Sequence, residues 1–496
     1  MRFSISPCSG KVSILSKKVS VALVMFLALT GLALAQTLQT LTHQPPDGAG
    51  IGFLLTDGTV IFQGNNDSDW WKLTPDITGS YLHGTWKQIA SLPSGYVPDA
   101  FASAVLPDGR VIISGGEYNN GNFALTNQSE IYDPLKNTWT YVAPPTGWYD
   151  IGDSPSVVLP TGQFVLGRKT NKNMAMLDAK TLTWTSGTLP GKSDFNAEEG
   201  WTLMPDGTVL TYDVKNAPNS ERLIPSKKEW ITAGSTIVDL HSPPAEGCLQ
   251  YGNNNQYTYC PPGEVGPAIL RPNGTVFATG SYTSTGGAGH TAIYTPGASL
   301  LDPGTWTVGP DFPSGDNAGD SFAALLTNGN VLVLGNSGTL WEFDGTKFTQ
   351  GPVAYGSLIV LPTGEVFVGS EPAQLYTSSG TYEASWAPTI TNFPASVTPG
   401  STYKITGTQF NGLSQAAAFG DEYQTATNYP LVRITNTATG HVFYAKTHDH
   451  STMGVATGSK SVFTNFDVPT SIETGASTLE VVANGIPSVA VNITVN

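Results

Sequence analysis

The 496-residue chain is poor in charged side chains, with 12% Asp, Glu, Lys and Arg against about 25% in a typical soluble domain, and its formal net charge is −15. An acidic surface repels nucleic acid, so the composition excludes a nucleic-acid-binding protein and favours cations or neutral ligands as partners. The 55 glycines and 35 prolines predict a turn-rich, extracellular all-β protein.

Residues 1–35 are predicted to be a secretory signal peptide. Three lysines precede an apolar stretch over residues 19–35, which ends in small residues just before Gln36. No other apolar stretch approaches the length of a membrane span. We therefore expect a secreted protein, extracellular or periplasmic, with no membrane anchor after cleavage near Ala35. The mature chain would carry 19 basic and 38 acidic residues, a formal charge of −19.

A glycine turn between two apolar runs recurs seven times at intervals of 35 to 67 residues, a spacing typical of propeller blades. An Asp, Asn or Thr precedes each glycine, as tight hairpin turns favour. Each repeat continues with a strand that carries an aromatic residue and, in six repeats, with a closing Trp or Phe. We therefore predict a seven-bladed kelch-type β-propeller over residues 36–386. The turn glycines are Gly58, Gly109, Gly162, Gly207, Gly274, Gly329 and Gly364.

The seventh repeat contains only three strands of its own. Residues 37–42 precede the first turn and belong to no other blade, so we infer that they supply the missing fourth strand. Such pairing of the two ends of the chain would close the ring and remove exposed sheet edges. The alternative, which the sequence leaves open, is that residues 382–386 close the blade.

The period changes from about Pro388 onward. Short alternating strands follow, with turns every 8 to 12 residues over the last part of the chain. This pattern predicts that residues 387–496 form an immunoglobulin-like β-sandwich.

The repeat also locates the rim of the propeller axis, because residues just before each innermost strand surround that axis. Counting back eight to ten residues from the turn glycines finds acidic side chains in five of the seven repeats, and Tyr355 in the seventh. Converging carboxylates raise one another's pKa or hold Ca²⁺, Mg²⁺ or Mn²⁺. The alternative is that they cap turns. The acids are Asp99, Asp153, Glu198, Glu199, Glu264 and Asp320.

Specific roles follow from this interpretation. We predict Asp153, Glu198 and Glu199 as catalytic residues, and Glu199, Glu264 and Asp320 as metal ligands. Asp99 and Tyr355 are predicted to contact substrate.

Two further segments are expected on the same face. The longest connection between blades contains Cys248 and Cys260, which we predict to form a disulfide that holds a tyrosine-rich lid or wall. Loops after the second strands bring Arg168, Lys169 and His290, of which Arg168 and His290 are candidate substrate contacts. Trp148 and Tyr149 are candidates for stacking on a sugar, or else pack between blades.

His448 and His450 are the last candidates, one residue apart in the C-terminal region. Alternate residues of a strand share a face, so both imidazoles could bind one metal ion. An exposed turn is the alternative interpretation.

A kelch-type propeller followed by a sandwich that carries Thr447-His448 resembles the galactose oxidase and glyoxal oxidase family. The resemblance implies an early-set C-terminal domain that brings a histidine, here His448, along the axis to copper beside a crosslinked Tyr–Cys radical cofactor. The family's Tyr-His pair on the last blade falls on Ala354 and Tyr355, and Cys260 is out of register with the family's cysteine. Copper is therefore disfavoured relative to a divalent cation bound by carboxylates.

The leading functional hypothesis is an exported, galactose-oxidase-like protein with an acidic, cation-binding axial pocket capped by the His448–His450 loop. It would bind or process a carbohydrate or another small polar ligand, by metal-assisted or acid–base chemistry if it is an enzyme. The alternatives are a non-catalytic module that binds carbohydrate or protein, and a copper-radical oxidase of alcohols or aldehydes. The sequence makes no prediction of oligomeric state.

Overall fold

A computed structural model describes residues 36–65, 68–283, 286–369 and 371–496, so the predicted signal peptide lies outside the described residues. Within these ranges the chain is all-β, and its only helices are three single 3₁₀ turns, Asn253–Asn255, Pro313–Gly315 and Ala384–Trp386. No helix of the described part is long and apolar enough to cross a membrane.

Seven antiparallel sheets each contain four strands of the repeat. In order from first to last strand, the first four sheets are Gly52–Leu54, Val60–Gln63, Trp70–Thr74 and Thr85–Gln88; Ala102–Val105, Val111–Ser114, Ser129–Asp133 and Thr138–Tyr141; Ser156–Val158, Phe164–Gly167, Asn173–Asp178 and Thr183–Thr188; and Thr202–Leu203, Val209–Tyr212, Asn219–Ile224 and Glu229–Ser235. The last three are Ala268–Leu270, Val276–Thr279, Thr291–Thr295 and Thr305–Val308; Ala323–Leu325, Val331–Leu334, Thr339–Phe343 and Phe348–Val353; and Leu358–Val360, Val366–Val368, Gln374–Thr377 and Thr37–Thr40.

The first strands of these sheets surround a common axis. First strands contact each other between the first and second, second and third, fourth and fifth, fifth and sixth, and sixth and seventh sheets, and the seventh contacts the first. These strands are buried throughout. The all-β, propeller-type fold predicted from the repeats is confirmed.

Each repeat turn lies between the first two strands of one sheet. In the first sheet, Gly58 has a φ of 75°, and Asp57 Oδ1 accepts hydrogen bonds from the backbone N–H of Thr59 at 3.0 Å and from its hydroxyl at 2.6 Å. The left-handed glycine and the Asp side chain together stabilise the tight turn, as its sequence predicts.

The N-terminal strand closes the ring. Thr37–Thr40 pairs antiparallel with Gln374–Thr377, the third strand of the seventh sheet. Residues 384–386 form a 3₁₀ turn and not a strand. Of the two alternatives that the sequence left open, the structure therefore adopts pairing between the two ends of the chain.

Nine C-terminal strands form one continuous sheet around a separate apolar core. The immunoglobulin-like sandwich and the boundary at residue 387 stay predictions. The strands are Thr389–Asn392, Ser396–Val397, Thr402–Thr408, Leu431–Asn436, Val442–His448, Ser461–Asp467, Gly475–Ala483, Ile486–Pro487 and Val491–Val495.

Residues 411–430, which we call the axial segment, leave this sheet and enter the centre of the ring. Its short strand Ala417–Ala418 pairs with the first strand of the sixth sheet. Gln415 Oε1 accepts the backbone N–H of Leu203 in the fourth sheet at 2.8 Å, and the backbone N–H of Gln424 donates to Ser103 Oγ in the second at 3.1 Å. The axial segment therefore contacts first strands on different sides of the axis.

Glu130, in the third strand of the second sheet, lies away from the axial cavity and should affect the pH dependence of stability. It is 3% exposed, and this burial raises the pKa of its carboxyl to about 7. A raised carboxyl pKa means that stability present below the unfolded value of about 4.3 is lost as the pH rises towards 7. The stability of Glu130→Gln relative to the native protein should therefore be roughly 1–3 kcal/mol greater at pH 8 than at pH 4.5, as measured by urea unfolding at both pH values. An equal effect at both pH values would contradict this account.

Candidate cation-binding site on the axis

The residues that precede the first strands meet in one acidic cavity of about 190 Å³. Five of the predicted rim acids line it, namely Asp99, Asp153, Glu198, Glu264 and Asp320. The sequence analysis did not assign the other lining residues, which are Ala100, Glu117, Phe419, Asp421, Glu422 and Tyr423.

Eight carboxyl groups thus surround this cavity at two depths. Asp153, Glu198, Asp421 and Glu422 are buried, whereas Asp99 and Asp320 are exposed to solvent. The cavity therefore opens outward between exposed acids and ends at buried ones.

The backbone around the cavity is strained. Ala100, Glu198 and Asp320 have φ values of 51°, 55° and 46°, in the left-handed region that costs about 1–2 kcal/mol for residues other than glycine. Such residues persist where the surrounding structure compensates the cost, and they concentrate at functional sites. Three of them at one cavity support a functional role for it.

Lys169 is a buried cation at the bottom of the site, placed by the loop after the second strand of the third sheet. Its ammonium contacts a carboxylate oxygen of Asp153 and donates to Glu198 Oε1 at 2.6 Å. The phenol of Tyr259 donates to the same Glu198 oxygen at 2.6 Å. Lys169 thus supplies one positive charge to the eight carboxyl groups of the cavity.

The distribution of pKa shifts follows from this shortage of positive charge. Burial opposes ionisation of Glu198, but the charge of Lys169 and the hydrogen bonds from Lys169 and Tyr259 outweigh it and lower the pKa of Glu198. Burial, reinforced by the charge of Glu198, raises the pKa of Asp153 well above its usual value despite the opposing charge of Lys169.

The pKa values of Glu264 and Asp421 shift in the same direction as that of Asp153. Burial, then the charges of Glu198 and Asp320, raise the pKa of Glu264 to about 11. Burial and the neighbouring Glu422 raise the pKa of Asp421. These carboxyl groups can ionise together only if another cation joins Lys169.

Two buried oxygens of the site lack hydrogen-bond partners within the described ranges, namely Oδ1 of Asp153 and Oδ1 of Asp421. Asp153 is 4% exposed and Asp421 is 7% exposed, so water does not readily replace the missing partners. One ligand oxygen each from Asp153, Glu198 and Asp421 lies within 4.8 Å of the others. An ion with oxygen ligands at about 2.4 Å, such as Ca²⁺, spans such a separation.

Glu199 lies outside this cavity, so its predicted place at the axial site is wrong. Both of its oxygens accept hydrogen bonds from Lys192 Nζ at 2.8 Å, and the same ammonium donates to Glu221 at 2.6 Å. The left-handed backbone of Glu198 separates the two neighbours, sending Glu198 to the axis and Glu199 into the fourth sheet.

His448 and His450 also lie elsewhere, and the predicted cap over the axial pocket is wrong. The imidazole of His448 contacts Asp449 at 2.8 Å and Asp467 at 3.2 Å. The backbone N–H of Asp449 donates to the carbonyl of Pro107, in a repeat turn at the opposite end of the first strands. The axial segment fills the centre instead and brings Asp421 and Glu422 to the cavity.

His450 also lies away from the lining of the axial cavity. Its Nδ1 hydrogen-bonds to the hydroxyl of Thr464 at 2.9 Å, and its ring stacks on Tyr429. Burial, followed by the charge of His448, lowers the pKa of His450 to about 3, so its imidazole is neutral near pH 7.

Cys248 and Cys260 form the predicted disulfide, which joins the ends of the hairpin Leu249–Tyr251 and Tyr257–Tyr259. This disulfide hairpin packs against Leu125 and Ala197 and delivers Tyr259 to Glu198.

Trp148, Tyr149 and Arg168 pack beside this hairpin and do not line the axial cavity. Tyr149 stacks on Tyr257 with ring centroids 4.0 Å apart. The guanidinium of Arg168 lies over the rings of Tyr149 and Trp148 and pairs with Asp150 at 2.6 Å. Their contacts support the packing alternative over sugar stacking at the axis.

His290 and Tyr355 are likewise absent from the lining of the axial cavity. His290 pairs with Asp311 at 2.7 Å in a separate cleft beside His241. Tyr355 is 59% exposed and donates to the carbonyl of Ser337 at 3.2 Å. Their predicted contact with an axial ligand is not supported.

Comparison with known proteins assigns the chain to no family. No protein-family model matches the chain, and no curated protein is similar to it in sequence. Among solved structures, it is similar to a fungal alcohol oxidase of the AA5 family in complex with copper, at 14% identity and a TM-score of 0.49 over 93% of this chain and 98% of the oxidase.

Two further structures show similar resemblance. A catalytically inactive virginiamycin B lyase from Staphylococcus aureus with quinupristin has 11% identity and a TM-score of 0.46, over 69% of this chain and 98% of the lyase. The extracellular domain of a putative one-component system from B. thetaiotaomicron has 11% identity and a TM-score of 0.46, over 93% of this chain and 58% of that one.

Proposed function

We propose that the axial cavity binds a divalent cation, Ca²⁺, Mg²⁺ or Mn²⁺, together with a carbohydrate or another small polar ligand. The observation that carries this proposal is the surplus of carboxyl groups around Lys169, with unpartnered buried oxygens on Asp153 and Asp421. Hard divalent cations prefer carboxylate oxygens, and an ion here would supply both the missing charge and the missing partners.

The size and the opening of the cavity support a second ligand beside the ion. A volume of about 190 Å³ exceeds what one ion needs, since a water molecule occupies about 30 Å³ of liquid. Asp99 and Asp320 border the opening, where hydroxyl groups can hydrogen-bond to carboxylates and anionic ligands are repelled. A neutral polyol such as a sugar fits these conditions.

The cavity does not fit copper. Its described lining contains no histidine or cysteine, and copper prefers such nitrogen and sulfur donors over carboxylates. His448 and His450 are held in contacts with Asp467 and Thr464. We therefore do not assign copper-radical chemistry to the axial cavity.

Acid–base chemistry is a second candidate activity, favoured by the opposite shifts at Asp153 and Glu198. A lowered pKa suits Glu198 as a base, whereas a raised pKa suits Asp153 as an acid. Pairs of carboxyl groups with separated pKa values serve in this way in proton transfer to polar substrates. A binding protein without turnover would use the same cavity and ion.

Export of the protein is part of the proposal. The Cys248–Cys260 disulfide is typical of oxidising compartments, and residues 1–35 have the pattern of a secretory signal. Outside the cell, modules bind Ca²⁺ with dissociation constants of about 10⁻⁴–10⁻³ M, so the axial site needs only moderate affinity.

Ion binding to the chain beginning at Gln36 tests the proposal. After chelation, titration with CaCl₂, MgCl₂ or MnCl₂ should show saturable binding, and thermal stability should rise by about 3 kcal/mol at one hundred times the dissociation constant. Asp421→Asn, which preserves side-chain shape, should remove one bound ion per chain. Asp449→Asn, at the opposite end of the first strands, should bind as many ions as the native chain. Retention of every ion by Asp421→Asn would overturn the axial assignment.

A further inference from the structure

We propose a second divalent-cation site, buried in the fourth sheet and formed by Asp194, Glu199 and Asp213. It lies outside the axial cavity, and no residue of it lines that cavity in the described structure. Asp194 and Glu199 belong to the loop before the first strand of this sheet, and Asp213 directly follows the second strand, Val209–Tyr212. We call this group the inner acid cluster.

The geometry of the inner acid cluster matches a bound ion. One oxygen from each of Asp194, Glu199 and Asp213 lies within 4.8 Å of the others, and each residue is at most 2% exposed. Three oxygen ligands at about 2.4 Å from a common ion satisfy this separation.

Negative charge exceeds positive charge at the cluster, as it does in the axial cavity. Lys192 donates to both oxygens of Glu199 at 2.8 Å and to Glu221 at 2.6 Å. Asp194 and Asp213 add two more carboxyl groups, so one ammonium faces four of them. Buried charge of this kind is stabilised only by pairing or by a metal ion.

An unpartnered oxygen gives independent evidence for a ligand. Oδ1 of Asp213 has no hydrogen-bond partner in the part of the chain that the structure describes, although Asp213 is 2% exposed. Its other oxygen accepts only a long hydrogen bond, 3.4 Å, from Ser193 Oγ. By contrast, backbone N–H groups fix Asp194, with Phe195 donating at 2.8 Å and Lys215 at 2.9 Å. A preorganised Asp194 and an unsatisfied Asp213 are what an ion site requires.

A surface cavity provides access to the cluster. Asp194 lines a cavity of about 450 Å³, together with Val214, Lys215 and the disulfide hairpin residues Tyr259 and Cys260. An ion can therefore reach Asp194 without passing through the axial cavity.

The inner acid cluster also bears on the axial site, because one loop serves both. Glu198 points to Lys169 and Glu199 to Lys192, on either side of a left-handed backbone turn. An ion held by Asp194 and Glu199 fixes the loop at both ends and thereby positions Glu198. The inner ion is thus a structural ion that preorganises the axial cavity.

Counting ions in matched variants tests the inference. The chain beginning at Gln36, dialysed against MnCl₂, should hold two ions by elemental analysis. Asp213→Asn and Asp421→Asn should each hold one, and the double variant none, while Asp206→Asn in the repeat turn of the same sheet should hold two.

The outcomes separate the two sites. If the native chain holds one ion and only Asp421→Asn removes it, the inner site is overturned and the axial site stands. A single ion that Asp213→Asn alone removes overturns the axial site instead. Absence of any bound ion overturns both.

If Asp213→Asn does not fold, a second measurement on the native chain tests the inner site instead. Lys192 lies 4.9 Å from the ring centroid of Trp230, so an ion in the inner acid cluster has a tryptophan close by. Terbium, which replaces Ca²⁺, should therefore show emission excited through tryptophan, and Trp230→Phe should remove most of it while Trp86→Phe does not. Unchanged emission in Trp230→Phe would overturn the inner site.

Discussion

Lys169→Met is expected to destabilise the folded chain by about 3–5 kcal/mol in metal-free buffer at pH 7.5. The side chain of Lys169 is fully buried and contacts Asp153 and Glu198, so its loss leaves two buried carboxyl groups without a counter-ion. Methionine preserves the length and the apolar packing of the stem, which limits the effect to the charge. Urea unfolding of both proteins gives the difference directly.

The pH dependence of this loss identifies its cause. Without Lys169, the pKa of Glu198 is expected to rise above that of the unfolded chain, because burial, its largest cause, then acts without the opposing charge of Lys169. Stability is then highest below the unfolded pKa of about 4.3 and is lost as the pH rises through the folded pKa. The deficit of Lys169→Met should therefore shrink at pH 5 and grow towards pH 8.

A divalent cation should partly replace the missing ammonium. CaCl₂ is expected to stabilise Lys169→Met more than the native chain, since the variant leaves more carboxylate charge uncompensated. The control is Lys180→Met, an exposed lysine in a turn of the same sheet, which should differ from the native chain by less than about 0.5 kcal/mol. A pH-independent deficit, insensitive to calcium, would indicate lost packing and contradict the charge argument.

Local features explain why the repeat predicted five of the eight cavity carboxyls. Asp99, Asp153, Glu198, Glu264 and Asp320 occupy equivalent positions before the first strand, and the strand fixes where that position lies. The same offset could not distinguish Glu198 from Glu199. Their separation depends on the left-handed φ of Glu198, which the surrounding contacts impose and which no local sequence signal requires.

Asp421 and Glu422 could not be found in this way, because they lie outside the repeats. Their position depends on pairing between Ala417–Ala418 and the sixth sheet, across nearly one hundred residues of chain. The resemblance to galactose oxidase predicted that the loop carrying His448 enters the axis, whereas the axial segment lies there instead. The axial segment precedes that histidine, and its Phe419-Gly420-Asp421-Glu422 run carried no recognised motif.

Closure of the ring was predictable because residues 37–42 belong to no blade of their own, while the seventh repeat lacks a fourth strand. The pairing of Thr37–Thr40 with Gln374–Thr377 makes this first described strand a structural part of the last sheet. Leu41, 3% exposed, continues the attachment by donating its backbone N–H to the carbonyl of Ala373 at 3.0 Å. The predicted cleavage site after Ala35 would leave this strand intact.

A chain that begins at Thr42 is consequently expected to lose more than about 10 °C in Tm relative to the chain beginning at Gln36. It lacks the fourth strand of the seventh sheet and the buried side chain of Leu41. The strand Gln374–Thr377 becomes an open edge, which can pair with another copy, so light scattering should also detect dimers or larger species. A chain beginning at Thr37 retains every pair of the strand and is the matched control.

Addition of a peptide with the sequence of residues 36–45 distinguishes edge exposure from general damage. The peptide can add to the open edge as a strand through backbone hydrogen bonds, and should raise the Tm of the truncated chain and reduce its association. It should leave the control unchanged, because there the edge is already occupied. A truncated chain that stays monomeric with an unaltered Tm would show that the first strand is dispensable and that the sheets hold the ring closed without it.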